Sequence, residues 1–157
     1  MEHWQRDRVA SALAGTNPTV LARLDASFAV IGDVQFLPGY SVAITDTPGV
    51  ERLSDLDRPA RSRFLGDMDL LGEAVERTCA ALDPDFLRVN LEILGNRDGF
   101  LHAHVWPRYG WEHPENVHLP VWLYPTQRWT DPTWALSDRH ADLRARLTAT
   151  TRALRAC

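Results

Sequence analysis

Gly95-Asn96-Arg97-Asp98-Gly99-Phe100-Leu101-His102-Ala103-His104-Val105-Trp106-Pro107-Arg108 decides both the fold and the chemistry. It opens as a polar loop between two glycines and continues as an alternation of apolar and functional side chains. In a strand, alternate residues share a face, so His102 and His104 point one way while Leu101, Ala103 and Val105 point the other. The spacing predicts a strand over 100–105 that holds two imidazoles about 6–7 Å apart. Such a pair has three readings: a solvated strand face, a nucleophilic array, or two ligands of a metal site to which His113 or His118 adds a third nitrogen. Asp98 and Glu112 lack ligand spacing and no cysteine is near, so no metal is assigned to the chain.

Working outward, Phe86–Ile93 reads as the strand before this loop. Asp83-Pro84 ends a long helix after Pro59, on which Phe64, Met68, Leu71, Val75, Cys79 and Leu82 recur every three or four residues. Ser27–Ile31, Val34–Leu37 and Tyr40–Ile44 are short strands separated by Gly32-Asp33 and Pro38-Gly39. Trp4–Leu13 reads as a helix closed by Gly15, with Trp4, Val9, Ala12 and Leu13 inward. Thr16-Asn17-Pro18 reads as a second helix start that turns Val20, Leu21 and Leu24 inward. Beyond Pro107, prolines space out Trp111, Trp122, Trp129 and Trp134, and Ser137 caps a final helix carrying Leu143, Leu147 and Leu154. Packing of these tryptophans onto the core is favoured over stacking on a base.

With 157 residues, 45% of them hydrophobic, the chain has material for one compact domain. A net charge of −4 and a pI near 5.8 argue against broad nucleic-acid binding, while a small nucleotide needs only a few local donors. Charges run through the N-terminus, and no window approaches about 18 continuous apolar residues, so neither export nor a membrane partner is expected. Cys79 and Cys157 form no disulfide framework or metal-ligand spacing, which suits a reducing cytoplasm.

The segment ending in Pro107-Arg108 resembles the motif of the histidine triad superfamily, His-x-His-x-His plus two apolar residues, in its diadenosine polyphosphate hydrolase branch. Aligned on Pro107-Arg108, Phe100, His102 and His104 stand at the three histidine positions, so the first histidine is replaced. A register with His102 first, His104 central and Trp106 third is the alternative; it loses the match of Gly95-Asn96 to the family's Gly-Gln pair. Asn90 stands where the family has a phosphate-contacting amide. Phe28–Asp33 followed by Leu37–Val42 resembles the family's first hairpin, with Asp33 at the ribose-binding position. The resemblance covers about 27–108, roughly half the chain.

The resemblance implies an α+β fold, a five-stranded antiparallel sheet with one long helix; the residues outside it add an N-terminal extension and, over 109–157, a tryptophan- and proline-rich extension with a helix, all in one domain over 1–157. It implies hydrolysis or transfer at a nucleoside α-phosphate, on a diadenosine polyphosphate or related conjugate, through a nucleotidyl-histidine at His102. A neutral imidazole can attack because its ordinary pKa is about 6.5. His104, Asn96 and Asn90 would donate to the non-bridging oxygens, and Arg97 would grip phosphate. Asp33 would accept from ribose hydroxyls. Phe100 cannot hydrogen-bond, so what the first histidine supplies must come from elsewhere, such as Tyr40, or be absent. No cofactor is implied beyond Mg2+ travelling with substrate phosphates, and the partners implied are a small-molecule nucleotide and a second copy of the chain in a homodimer. The rivals are a non-catalytic nucleotide-binding module and a metal-dependent hydrolase built on His102 and His104.

Overall fold

The computed structural model describes residues 3–157. Five strands form one antiparallel sheet in the order β1-β2-β3-β5-β4: β1 Val20–Arg23, β2 Ser27–Ile31, β3 Ser41–Thr45, β4 Phe86–Glu92 and β5 His102–Tyr109. One long helix, α3 (Arg58–Leu82), starts at the Asp57 cap, whose side chain accepts the Ala60 N–H, and stops at Asp83 before Pro84. Its buried stripe is Phe64, Leu71, Val75 and Cys79, as the periodicity predicts; Leu82, at its end, is exposed. Asp67, also buried on α3, accepts the main-chain N–H groups of Asp25 and Ala26 and the hydroxyl of Ser27, tying the β1–β2 turn to the helix. Leu101, just before β5, and Ala103, Val105 and Tyr109 in it are wholly buried, and Tyr109 meets Cys79 of α3. His102, His104, Trp106 and Arg108 therefore occupy the opposite face.

The fifth strand differs from the expectation. Val34–Leu37 is a turn carrying one isolated bridge from Val34 to Ala135, and the missing strand is β1, where a helix start was expected. Asn17 does accept locally, but its carbonyl oxygen takes both the N–H and the hydroxyl of Thr19. That closes an Asx-type turn instead of a helical one, and the chain leaves it extended to pair with β2. The N-terminal helix is also two helices, α1 (His3–Arg6) and α2 (Arg8–Leu13), because Asp7 caps the second at Ala10; Leu13 is exposed. Strand β5 runs past Pro107 to Tyr109. A proline is tolerated there because β3 ends opposite Val105, leaving β4 as the sole neighbour of Pro107.

The tryptophan-bearing part of the C-terminal extension packs on the histidine side of the sheet. Trp129, on α4 (Thr126–Thr130), meets Phe36 edge-on at 5.0 Å and Trp106 at 5.6 Å, and Gln35 N–H donates to the Trp134 carbonyl. Trp111 and Trp122 stay about half exposed. The last helix, α5 (Ala141–Arg155), is preceded by a 3-10 turn at Asp138–His140 and packs on α3 and β1, with Leu147 fully buried and Thr78 donating to Thr150. Among the described residues no helix is long and apolar enough to cross a membrane.

Gly32 makes room for an aromatic ring. A Cβ built there would stand 2.1 Å from Cδ1 of Tyr40, whose side chain is buried. Gly32→Ala is expected to cost about 1–3 kcal/mol as an overpacking change and to lower Tm by about 3–10 °C in a calorimetric scan.

Candidate active site

Both histidines are held by their Nδ1 atoms, and differently. His102, 5% exposed, has Nδ1 2.8 Å from the main-chain carbonyl of Phe100. A carbonyl can only accept, so Nδ1 carries a proton, and in the neutral imidazole the lone pair is on Nε2. His104, half-buried, has Nδ1 2.8 Å from the Tyr40 hydroxyl. The two rings meet edge-on with centroids 4.8 Å apart, closer than the strand repeat alone would set them. Phe100 packs its ring 5.0 Å from His102. The hydrogen bond that orients His102 thus comes from the main chain of position 100, which phenylalanine supplies as well as histidine.

Behind the pair lies an aromatic stack. Trp106 lies on Tyr40 with centroids 3.6 Å apart and planes 8° from parallel, and His104 continues the stack 5.5 Å from Trp106. Glu92 of β4 stands opposite His104 in the register and accepts from Trp106 Nε1 at 3.2 Å. Burial, then the charge of His102, push the His104 pKa down to about 4, and Asp98 opposes them. Burial and the carboxylates of Asp33, Asp98 and Glu92 raise the Tyr40 pKa, against Arg8, so its phenol keeps its proton.

The remaining predicted residues are placed unequally. Asn96 and Arg97 lie exposed in the 95–99 loop, free of hydrogen bonds and ion pairs to the described residues. Asn90 faces the histidine side opposite Trp106, but its carbonyl oxygen accepts from Arg108 Nη1 at 2.8 Å, leaving its amide N–H groups without a partner among the described residues. Asp33 is clasped by Arg8 of α2, Nη1 to Oδ1 at 3.1 Å and Nη2 to Oδ2. An open cleft of about 450 Å3 shares Asp33 with Trp4, Pro18, Thr19, Leu136 and Arg144; neither histidine lines it. His113, which with His118 could have supplied the third nitrogen of the metal reading, has Nδ1 3.8 Å from Glu115, and among the described residues no three His, Cys, Asp or Glu side chains gather to share an ion.

This architecture recurs in solved structures. A histidine triad protein from Marinobacter aquaeolei superposes with TM-score 0.59 at 18% identity over 86% of this chain and 89% of its own. One from Sinorhizobium meliloti gives 0.66 at 16% identity over 83% and 87%. The chain has the histidine triad fold. A hypothetical histidine triad nucleotide-binding protein from Sulfolobus tokodaii shares it, with TM-score 0.62 at 11% identity over 93% and 91%. No sequence-family profile matches the chain, and no curated protein matches it by sequence.

Within this histidine triad fold, three contributors escaped the sequence reading. Glu92 was readable, since it lies two residues beyond Asn90 on the same strand face. Arg8 reaches Asp33 across 25 residues without any local pattern. Arg108 served only to fix the motif register, yet it is 6% exposed and organises the segment after β5.

The low basicity of His104 has a measurable consequence. Its folded pKa of about 4 lies below the ordinary 6.5, so between those values the unfolded chain binds the extra proton. Stability from this source is complete above pH 6.5 and drains away as pH falls toward 4. In urea titrations at pH 7 and pH 4.5, wild type should lose about 2 kcal/mol more than His104→Gln.

Proposed function

We propose that the chain is a divergent member of the histidine triad superfamily that hydrolyses or transfers a nucleotide at its α-phosphate, with His102 as the covalent nucleophile. The observation that carries the reading is the Phe100 carbonyl holding the His102 Nδ1 proton, which leaves Nε2 without a hydrogen-bond partner among the described residues. It also favours the register with His102 central, because the adjacent His104 makes no such main-chain bond and has a phenol on Nδ1.

In the first step His102 Nε2 forms a bond to phosphorus as the bond to the leaving group breaks, the leaving group departing with the electron pair. In the second, water attacks the nucleotidyl-histidine and returns the imidazole. His104, through its Nε2 side, Asn96, the amide of Asn90 and Arg97 are the donors for the non-bridging oxygens. Asp33 accepts from ribose hydroxyls once Arg8 yields or shares it. Phe100 carries no proton and His104 is a neutral, weakly basic imidazole, so leaving groups that depart as weak bases suit the site best. Phosphoric anhydrides such as diadenosine polyphosphates are therefore preferred over alkyl phosphoramidates, and Mg2+ enters as part of the substrate.

A homodimer completes the proposal. Strand β4 pairs only with β5, and Leu87 and Leu91 on it are 53% and 39% exposed, open to a second copy. The two free cysteines fit a reducing cytoplasm. A panel of dinucleoside polyphosphates, nucleotidyl anhydrides and phosphoramidates, followed by chromatography, tests the reading: release of a nucleoside monophosphate from the anhydrides is expected. Phe100 favours one second reading, a non-catalytic nucleotide-binding module, which micromolar binding of AMP without turnover of any conjugate would identify.

A further inference from the structure

We propose that Tyr40 is a positioning residue that fixes His104 in the Nε2–H tautomer, so that the two histidines of the strand present opposite faces to a ligand: a lone pair on His102 and a hydrogen on His104. The phenol has one proton and, among the described residues, one acceptor within reach, Nδ1 of His104 at 2.8 Å. With Nδ1 accepting, a neutral imidazole must carry its hydrogen on Nε2. Were the donation reversed, the buried Tyr40 proton would be left without an acceptor, an arrangement buried hydroxyls avoid. At His102 the opposite assignment follows from a carbonyl that can only accept.

The phenol is locked in place. Its ring is sandwiched between Trp106, at 3.6 Å, and Gly32, where a methyl group would already overlap it. Its main-chain carbonyl accepts from Gly32 N–H at 2.9 Å and from Gln35 Nε2 at 3.0 Å. Trp106 is in turn held by Glu92 and by the edge of Trp129. The C-terminal extension thus reaches the site through Trp106 and Tyr40, which gives its packing a functional sense. Burial keeps the phenol protonated and the imidazole uncharged, so the pair holds one arrangement across neutral pH. The functional half of this inference rests on reading His104 as a hydrogen-bond donor to the phosphoryl oxygens; the tautomer itself does not.

Multiple-bond 1H–15N spectra at pH 7 test it on the whole protein without ligand. In wild type, His104 should show an unprotonated Nδ1 and a protonated Nε2, and His102 the reverse. Tyr40→Phe keeps the ring and removes the proton donor; His104 should then average over two tautomers while His102 stays unchanged. Nucleotide hydrolysis by this variant should fall about threefold to tenfold in kcat with KM within about twofold, the size of one neutral hydrogen bond felt mainly in the transition state. Gly32→Ala, which displaces the ring, should loosen the same tautomer. A wild-type His104 protonated on Nδ1, or a Tyr40→Phe protein whose His104 remains in one tautomer, overturns the proposal, and the wild-type spectrum alone decides if neither variant folds. Opposite tautomers in a protein that turns over no nucleotide conjugate would sink the functional reading and leave the positioning role standing.

Discussion

His102→Ala is expected to lower nucleotide turnover by at least about a thousandfold while leaving Tm within a few degrees of wild type. A covalent route has no substitute for its nucleophile, and what survives in such variants is the contribution of binding and fixed donors. The fold should tolerate the change because Leu101, Ala103 and Val105 fill the core side of β5, whereas His102 contributes to the opposite face. Truncation also removes the ring that depresses His104 through charge, so His104 should become more basic, visible as a rise in its NMR titration midpoint. His104→Ala should cost less, about a hundredfold, the scale of losing one donor to the developing charge. Equal losses in the two variants would contradict the division of labour, and unchanged turnover in His102→Ala would remove the nucleophile altogether.

Arg108→Met is expected to be the most destabilising single substitution considered, by about 3–5 kcal/mol. Arg108 and Glu112 are each 6% exposed, and the guanidinium uses all three of its nitrogens. Nε reaches Glu112 at 3.0 Å, Nη1 reaches Asn90 and the Leu119 carbonyl at 2.8 and 3.1 Å, and Nη2 reaches Val117 O and the Tyr124 hydroxyl at 2.8 and 2.7 Å. Tyr124 and the Tyr109 N–H also donate to Glu112. Removing the cation strands a buried carboxylate and several carbonyls together. The double variant Arg108→Met/Glu112→Leu removes both charges, so its cost in urea titrations should fall short of the sum of the single costs by about 2 kcal/mol or more. Strict additivity would show that the pair is not coupled. Because Arg108 also holds Asn90, the single variant should loosen that amide and weaken phosphate affinity in addition to lowering Tm.

What could be read from the sequence divides along the range of the forces involved. The α3 stripe and the alternation of β5 were legible because each is a local period set by one buried face. The strand count came out right partly by compensation: Val34–Leu37 is a turn and Val20–Arg23 a strand. The error arose because Thr16-Asn17-Pro18 carries both helix-start and turn chemistry, and pairing with β2 chose between them. That His102 and His104 share one face of a strand was legible from their spacing alone. Their tautomers were not, since they depend on a carbonyl two residues back and on a phenol 64 residues away. Asp33 was placed correctly in the turn after β2, while its Arg8 partner depends on how α2 docks.

The proposed function stands or falls with a bond between His102 Nε2 and phosphorus. Acid-free quenching of the protein during turnover of an adenylylated anhydride, followed by intact-mass and peptide mapping, measures this directly. One added nucleotidyl group is expected, located on His102, retained in His104→Ala and missing in His102→Ala. An adduct on His104, or phosphate release that depends on a protein-bound metal and leaves His102 unmodified throughout, would contradict it.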